Sequence, residues 1–348
     1  MDTTSEATSS PAPRRDPVEV LTVGRVGVDL YPQQSGVPLA RVETFAKFLG
    51  GTATNVAVGA ARLGRTSAVL TKVGPDGFGD YVRTAMAGFG VDPSHVGTAP
   101  DLQTPVVFCA LDPPEDPPLL FYRAPMAPDL TLTGHDVPWD LVREVPLFWV
   151  TGTGVSLDPS RQTHLDMLAA RGRPRAGSGR FTVLDLDWRP MFWPSPLAAR
   201  REYLRMLQHV TVAVGNRAEV EVAVGTRDPE EGARRLLDLG IEMAIVKKGA
   251  EGVLVATPDA MTTVPPQKVT VVCGLGAGDA FGAALCHGLL SGWDAATCVE
   301  YGNAAGAIVA SRLACADAMP TIAELEALVH RSEDHAELGR PEQEAAGR

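Results

Sequence analysis

Short runs of apolar residues alternate along this chain with longer stretches of helical periodicity. The apolar runs lack strict alternation of apolar and polar positions, which is typical of strands buried on both faces of a parallel sheet. The predicted strands are Val18–Val26, Ala68–Val73, Leu147–Val150, Phe181–Leu186, Thr211–Val214 and Ala244–Lys247. Helical stretches follow several of them, at Thr54–Leu63, Pro159–Ala170, Pro229–Leu239, Gly278–Leu290 and Asp294–Leu313.

This repeated strand-then-helix order implies right-handed crossovers between parallel strands. The pattern therefore predicts an α/β fold with a doubly wound, mainly parallel sheet. In such a fold, ligands collect at the carboxyl ends of the strands.

Two segments interrupt the order and have the character of β-hairpins. They span about residues 31–47 and 104–123, and the second contains the proline-rich turn Asp112–Pro118. A small antiparallel sheet inserted into the α/β core would explain both segments. We expect this sheet to form a lid that excludes water from a site.

The two ends of the chain differ in composition from the part between them. Residues 1–17 are rich in Ser, Thr, Pro and charge and contain no apolar signal segment, so they are predicted to be a disordered leader. Residues 18–330 are predicted to form one folded domain. Residues 331–348, which are rich in Glu and Ala, are predicted to form a flexible tail.

Charge and cysteine content narrow the classes of partner. The formal net charge of -11 and the pI of about 5.1 argue against a nucleic-acid partner, which usually leaves a basic footprint. No run of about 18 apolar residues is present, so no membrane-spanning helix is expected. The five cysteines are odd in number and lack the spacing of a zinc site. Scattered thiols fit a reducing compartment, and a cytoplasmic location is expected.

The glycine turn Gly274–Asp279 directly precedes a helical apolar face that includes Phe281 and Leu285. Unpaired N–H groups and the positive dipole end make such a helix start an anion site. A carboxylate there would repel a phosphate, but it can act as the base for a hydroxyl that attacks the phosphate. An isolated turn of this kind is more often an ordinary junction in which Asp279 caps the helix.

A second glycine turn, Gly50–Gly51, opens another helix that carries Asn55. Close backbone approach and the Asn55 amide suit a polyhydroxylated ligand, although a turn of this kind taken alone is more often an ordinary loop-to-helix junction. Neither turn has the P-loop pattern, and no dinucleotide fingerprint follows the first strand.

Taken together, the two turns resemble the signatures of the PfkB/ribokinase family of carbohydrate kinases. The run at 50–57 matches Gly-Gly-x-x-x-Asn-x-Ala, and the run at 276–279 matches Gly-Ala-Gly-Asp. The resemblance extends from about Val18 to Pro320. It implies a ribokinase-like kinase domain over residues 18–330 that uses ATP and Mg²⁺, with Asp279 as the general base. The backbone N–H groups of Gly276, Ala277 and Gly278 would form the anion hole.

The same resemblance implies roles for further residues. Those implied to bind the sugar are Asp29, at the end of the first predicted strand, Gly50, Gly51 and Asn55. Those implied to bind the nucleotide are Asn216, Glu219, Lys247, Gly249, Gly252 and Asn303, with Glu219 also holding Mg²⁺ through water. A strand-end lysine such as Lys247 is as often simply solvated.

One position pair departs from the family pattern. The family signature begins with Asp-Thr, where this chain has Cys273-Gly274. In the family these positions support a site for a monovalent cation, and a thiol and a glycine cannot replace a carboxylate and a hydroxyl for K⁺. Weak activation by K⁺ is therefore expected, and Cys273 is expected to be a small buried apolar residue.

The run 185–193 resembles fructokinases and 2-keto-3-deoxygluconate kinases, with Asp187 where those have Asn. The run 121–123 resembles their aromatic-Arg element. Arg123 and Arg189 are thus candidates to bind a substrate carboxylate, since a guanidinium matches it with two hydrogen bonds. The alternatives are a surface charge on the lid for Arg123 and a salt bridge to Asp185 or Asp187 for Arg189.

Further runs, at 24–32, 148–154 and 311–320, resemble the bacterial 5-dehydro-2-deoxygluconate kinases of myo-inositol catabolism. This implies phosphorylation of the C6 hydroxyl of a sugar acid and a possible homodimer through the lid. The open alternatives are the same chemistry on 2-keto-3-deoxygluconate, ribose, fructose or a nucleoside, and a silent sugar- or nucleotide-binding regulator. The intact Asp279 and the Asn216–Glu219 pair argue against the regulator.

Overall fold

The computed structural model describes residues 16–34, 36–115 and 117–338. The strands of these ranges are β1 Val20–Val23, β2 Gly27–Pro32, β3 Phe45–Gly50, β4 Ser67–Val73, β5 Val91–Asp92, β6 Val96–Thr98, β7 Val106–Cys109, β8 Leu119–Tyr122, β9 Leu147–Thr151, β10 Phe181–Asp185, β11 Val212–Asn216, β12 Met243–Lys247, β13 Val253–Ala256 and β14 Met261–Val264. The α-helices are α1 Thr52–Arg62, α2 Gly77–Gly88, α3 Trp139–Glu144, α4 Ser160–Arg171, α5 Pro196–Leu207, α6 Arg217–Val224, α7 Pro229–Asp238, α8 Ala277–Leu290, α9 Ala295–Ala310 and α10 Ile322–Leu338.

The large sheet confirms the predicted α/β class. Its strands lie in the order β14-β13-β12-β11-β10-β9-β1-β4-β5, and β6 pairs with β4. The pairs from β12 to β5 are parallel, whereas β13 and β14 add an antiparallel edge. Neighbouring residues of one strand enter different cores: Leu21 packs with α4 and α5, and Val20 packs with α1 and α8. Both faces of the sheet are therefore covered, which explains why its strands are apolar throughout.

The predicted lid is a separate four-stranded sheet in the order β3-β2-β7-β8. Its β2–β3 and β7–β8 pairs are antiparallel, while β2 and β7 run parallel. The first predicted strand, Val18–Val26, is too long, because the chain leaves the large sheet at Gly24. Its φ is +144°, and a Cβ there would lie 2.8 Å from Thr151 Oγ1. Asp29 is consequently in the lid strand β2 and not at the end of the first strand.

The predicted terminal segments fall mostly outside the described ranges. Residues 1–15 of the expected leader and residues 339–348 of the expected tail lie outside them, whereas the backbone of 331–338 continues helix α10. None of the helices in the described ranges combines the length and apolar character needed to cross a bilayer.

Helices α1 and α8 approach each other closely. A Cβ on Gly59 would lie 2.4 Å from the Cβ of Ala283, and a Cβ on Gly282 would lie 2.6 Å from Trp149 Cη2. Real Cβ atoms do not come this close, so glycine at 59 permits the contact of α1 with α8, and glycine at 282 permits the contact of α8 with β9. Asn55 and Asp279 each lie four residues before a member of the Gly59–Ala283 pair, so this contact also sets the separation of the two helix starts.

We expect Gly59→Ala to lower the free energy of unfolding by about 1–3 kcal/mol, because the added methyl overpacks the contact. The measurement is equilibrium urea unfolding followed by circular dichroism. Gly88→Ala is the matched control, since Gly88 is an exposed residue of α2 with no atom within 4 Å of an added Cβ. There, replacing glycine in a helix should be neutral or stabilise by up to about 1 kcal/mol. Equal free-energy changes for the two variants would contradict the close approach.

Candidate active site

Two cavities meet at the first turn of α8. One lies under the lid, where Asp29, Val107 and Phe121 form part of its wall, and Gly276 and Asp279 form its floor. The other is an open groove of about 660 Å³ whose wall includes Ala277 and Gly278. A single helical turn therefore contacts both spaces, as a group transfer between two bound molecules requires. We call them the lid cavity and the groove.

The turn leaves backbone donors available. Gly276 is the residue before the helix, with φ +80°, and a Cβ there would lie 2.8 Å from Cys315 Sγ. The N–H of Ala277 makes a long turn bond of 3.4 Å to Gly274 O. Among the described residues no acceptor is recorded for the N–H groups of Gly276 and Gly278. These amides at a helix start are suited to a phosphate oxygen.

Asp279 does not cap α8, so the capping alternative is wrong for this turn. The cap position is Gly276, and no side chain bonds the first amides. Instead, Asn55 Nδ2 donates to Asp279 Oδ2 at 2.7 Å. The side-chain oxygen of Asn55, Oδ1, is buried and has no hydrogen-bond donor among the residues that the structure describes. The base candidate is thus oriented by a side chain from the start of α1.

Burial raises the pKa of Asp279 to about 6, while the Asn55 hydrogen bond and the charges of Arg25 and Arg189 lower it. A carboxyl group with this pKa is mostly ionised at neutral pH and is a stronger base than an ordinary aspartate. Asp279 is therefore chemically suited to accept a proton.

Asp29 enters the lid cavity from β2. It is buried, and burial raises its pKa to about 7, with Arg25 opposing this shift and Asp279 adding to it. Gly50 makes room for this side chain, because a Cβ at 50 would lie 2.2 Å from Asp29 Cγ. Gly51 itself lines the cavity and has a φ of +103°. A Cβ added to Gly51 would lie 2.5 Å from Arg25 O. The absence of a side chain at Gly50 thus leaves space for Asp29, and the absence of one at Gly51 allows the turn into α1.

Arg123 and Arg189 both line the lid cavity. Arg123 is not a surface charge: its side chain is 10% exposed, and Nη2 donates to Asp129 Oδ2 at 3.0 Å. Arg189 Nε donates to Asp187 Oδ1 at 3.0 Å, so the salt bridge considered for it exists. The side chain of Arg189 remains 39% exposed, and the salt bridge does not exclude a ligand.

Sequence reasoning missed Arg25 as a lining residue. It follows Gly24 at the point where β1 ends and the chain turns to the lid, and it is 6% exposed. A cation directly after a buried parallel strand was the available signal, because ligands collect at that edge of the sheet. Phe121, which belongs to the aromatic-Arg run, also lines the cavity, as do Leu119 and Cys315, to which the sequence assigned no role at the site.

The groove contains four of the six residues implied to bind a nucleotide: Lys247, Gly249, Gly252 and Asn303. Its apolar walls include Val253 and Phe281. Asn303 Nδ2 donates to Pro265 O at 2.8 Å. Lys247 is not freely solvated. Burial opposes its positive charge, but the carboxylates of Asp185, Glu219 and Asp279 outweigh burial and raise its pKa.

Asn216 and Glu219 do not line either cavity within the described residues. They form a capping box at the start of α6, in which Asn216 Oδ1 accepts the N–H of Glu219 at 3.0 Å and Glu219 Oε2 accepts the N–H of Asn216 at 2.6 Å. Glu219 Oε1 also accepts the N–H of Trp188 at 3.3 Å. Their implied roles toward nucleotide and metal therefore remain predictions.

The pair Cys273-Gly274 has a packing role. Cys273 is fully buried in a cluster with Tyr31, Cys109 and Cys315. The N–H of Gly274 donates to Pro114 O at 2.7 Å, so the tip of the β7–β8 hairpin rests on this residue. A Cβ on Gly274 would lie 2.2 Å from Glu115 O. A larger residue at 274 would displace the tip of the lid.

Known proteins are similar to this chain in sequence and in architecture. Residues 18–322 match the family described as pfkB family carbohydrate kinase. The 5-dehydro-2-deoxygluconokinase of Geobacillus kaustophilus is 31% identical over 329 residues, covering 92% of this chain and 96% of that protein. The enzyme of the same name from Clostridium tetani is 29% identical over 334 residues, covering 93% and 96%.

Solved structures agree with this assignment. A double mutant of the fructokinase from Vibrio cholerae O395, with fructose, ADP and potassium bound, superimposes with a TM-score of 0.78 at 27% identity. It covers 91% of this chain and all of that one. A PfkB protein from Polaromonas gives a TM-score of 0.77 at 26% identity, covering 89% and 99%. The match over residues 18–322 and these two structures show that the chain belongs to the pfkB family of carbohydrate kinases.

Proposed function

We propose that this protein transfers the γ-phosphoryl group of ATP to the C6 hydroxyl of 5-dehydro-2-deoxy-D-gluconate, as a cytoplasmic step of myo-inositol catabolism. The observation that carries the proposal is the position of Asp279 at the junction of two cavities, one of which is lined by arginines. The names of the Geobacillus and Clostridium relatives support the same substrate.

In the proposed reaction the sugar acid occupies the lid cavity. Asp29 and the free oxygen of Asn55 bind its hydroxyl groups, together with the backbone around Gly51. The C6 hydroxyl donates its proton to Asp279 as its oxygen forms a bond to the γ-phosphorus. The bond from that phosphorus to the β,γ-bridging oxygen breaks, and ADP leaves. Catalysis of this type depends on positioning and on electrostatic stabilisation.

The groove takes ATP in this proposal. The amides of Gly276, Ala277 and Gly278 stabilise charge on the transferred group. Lys247 contributes a positive charge near the same point, since its Nζ would lie 3.2 Å from a Cβ placed on Gly278. Gly249, Gly252 and Asn303 border the remainder of the nucleotide. The turn of α8 thus serves as the shared wall across which the phosphoryl group passes.

The residues present fit Mg²⁺ bound mainly by phosphate and water. The described residues contain no group of three acidic, histidine or cysteine side chains arranged around a metal ion. Mg²⁺ in kinases uses one or two carboxylates besides the phosphates and water. Glu219 has accepting capacity beyond its two backbone bonds, because a carboxylate offers about four lone-pair sites. When bound, Mg²⁺ neutralises charge on the phosphates.

Arg123 and Arg189 supply the preference for an acid in this proposal. Each has a single acidic partner and lines the cavity, so each retains N–H groups for a substrate carboxylate. A neutral sugar would leave these donors unpaired, which disfavours it. 2-Keto-3-deoxygluconate also has a carboxylate that these arginines could bind, and a substrate panel separates the two acids.

Steady-state kinetics tests the proposed substrate and the proposed base. We expect ATP turnover with 5-dehydro-2-deoxygluconate to exceed that with 2-keto-3-deoxygluconate, ribose, fructose and nucleosides.

Asp279→Asn should lower kcat by about 10²–10⁴-fold, because the variant lacks the base. Asp140→Asn is the matched control, since its side chain is 96% exposed on α3. A loss below about tenfold in Asp279→Asn would remove the role assigned to this residue. Absence of sugar-dependent ATP consumption would favour the silent regulator.

The dependence of kcat/KM on pH tests the same base. Only the ionised form of Asp279 can accept a proton, so kcat/KM should rise with pH through the pKa of about 6 and then level off. The Asn55 hydrogen bond favours the ionised form and lowers this pKa. Asn55→Ala should therefore move the acid limb of the profile to higher pH, apart from any change in KM. An unchanged limb in Asn55→Ala would contradict the assignment of that ionisation to Asp279.

We also propose a homodimer through the outer face of the lid. Asp29, Val107 and Phe121 point to the cavity, so the residues next to them on their strands point to the opposite face of the lid sheet, part of which packs on the core and part of which is exposed. On that outer face Phe45, Phe108 and Tyr122 form a row with ring centroids 5.3 and 5.4 Å apart. Tyr122 is 60% exposed and Leu120 is 47% exposed. A continuous apolar strip of this kind on a sheet suits a second copy of itself.

We expect analytical ultracentrifugation to give a dimer for the wild type and a monomer for Leu120→Glu. Leu197→Glu is the control, because Leu197 is 71% exposed on α5, outside the lid. A dimer that survives Leu120→Glu, or a wild-type monomer, would exclude pairing through this face.

A further inference from the structure

Arg25 is held in the lid cavity by a complete set of side-chain contacts on one edge of its guanidinium group. Nη2 donates to Thr52 Oγ1 at 2.6 Å and to the two oxygens of Asp187 at 2.8 and 3.0 Å. Nε donates to Thr153 Oγ1 at 3.3 Å. Thr153 in turn donates to Asp187 Oδ2 at 2.8 Å, which fixes the carboxylate that faces Arg25. The position of this guanidinium is therefore determined before any ligand binds.

The other edge of the same group is open. A guanidinium has five N–H donors, two of them on Nη1. Nη1 has no hydrogen-bond acceptor among the residues that the structure describes, and Arg25 lines the lid cavity. Because these donors are open to the cavity, an anionic ligand can accept hydrogen bonds from them, and such charge-assisted bonds are strong.

Three guanidinium groups lie around this edge, in a cavity that is also lined by the carboxyl groups of Asp29 and Asp279. Asp187 is the shared acidic partner of Arg25 and Arg189, so one carboxylate faces two guanidinium groups. Arg123 has its own partner in Asp129. The guanidinium carbon of Arg123 lies 4.9 Å, and that of Arg25 5.9 Å, from the ring centre of Phe192. Arg25 and Arg123 thus lie beside one ring, and the three guanidinium groups share two salt-bridged carboxylates.

We propose that Arg25 is a specificity-determining residue that binds the carboxylate of a sugar-acid substrate through Nη1, together with Arg123 and Arg189. The inference rests on the proposed function for the class of substrate. A fork that is already fixed by Thr52, Thr153 and Asp187 loses little conformational freedom on binding. Lysine at this position would keep the charge but lose the second edge of the fork.

The test compares Arg25→Lys with the wild type. We expect KM for 5-dehydro-2-deoxygluconate to rise about 10- to 100-fold, the range for one hydrogen bond to a charged group. KM for fructose, a neutral sugar, should stay within about twofold of the wild type, because no carboxylate is involved. Arg171→Lys is the matched control, since Arg171 is a partly buried arginine of α4 that donates to Val142 O and Phe181 O outside the cavity. Arg171→Lys should change KM for the acid and for fructose by the same factor.

A second variant allows for the case in which Arg25→Lys does not fold. Arg25→Met combined with Asp187→Asn removes the buried pair without leaving an isolated carboxylate. The same selective loss for the acid is expected. Equal increases in KM for acid and neutral sugar in the variants that fold would mean that Arg25 only supports the fold, and would overturn the inference.

Calorimetric titration with 5-dehydro-2-deoxygluconate, without nucleotide, separates this inference from the proposed function. Binding without turnover by the wild type would reject the proposed function alone. If that binding weakens about 10-fold or more in Arg25→Lys, the role of Arg25 is supported whatever the turnover. Equal affinity of wild type and variant, or no binding to the wild type, rejects the role of Arg25.

Discussion

The close contact of α1 with α8 is the constraint on which the rest of the site depends. With no side chain at Gly59, the two backbones approach until only the methyl of Ala283 lies between them. One turn earlier on both helices, this approach brings Asn55 Nδ2 to 2.7 Å from Asp279 Oδ2. The same rigid pair places the first turn of α8 between the lid cavity and the groove. An added methyl at position 59 would therefore disturb both the stability of the fold and the orientation of the candidate base.

Burial of charge is the second organising feature. Taking carboxyl groups out of water raises the pKa of Asp29 to about 7 and that of Asp279 to about 6. The arginines of the same cavity moderate these shifts and are themselves held by Asp187 and Asp129. Because the groups are fixed before a ligand binds, little reorganisation is needed when charge develops during transfer. In the proposed reaction, such a network would favour one orientation of an anionic sugar over others.

The lid and the groove are physically connected through Gly274. The hairpin tip accepts a hydrogen bond from this residue two positions before Gly276, and Glu115 of the tip also borders the groove. The tip of the lid is thus in contact with the edge of the groove. This packing gives a physical reason for glycine at 274, while the expectation of weak K⁺ activation stays a prediction.

The sequence alone determined the α/β class, the existence of a lid, the helix start before Asp279 and the family, since all of these depend on local periodicity or on contiguous motifs. It could not determine where β1 ends, because the bend at Gly24 depends on contact with Thr151, far along the chain. It implied roles at the nucleotide for Asn216 and Glu219, which stay predictions, but it did not show that their side chains also cap α6. The arginine cluster could not be predicted from the sequence, because it also depends on contacts between distant residues. Arg25 and Asp187 are 162 residues apart, and only the parallel order of β1, β9 and β10 brings their strand ends together. Tertiary structure decided which side chains share a cavity, because that depends on strand order and not on any pattern within a segment.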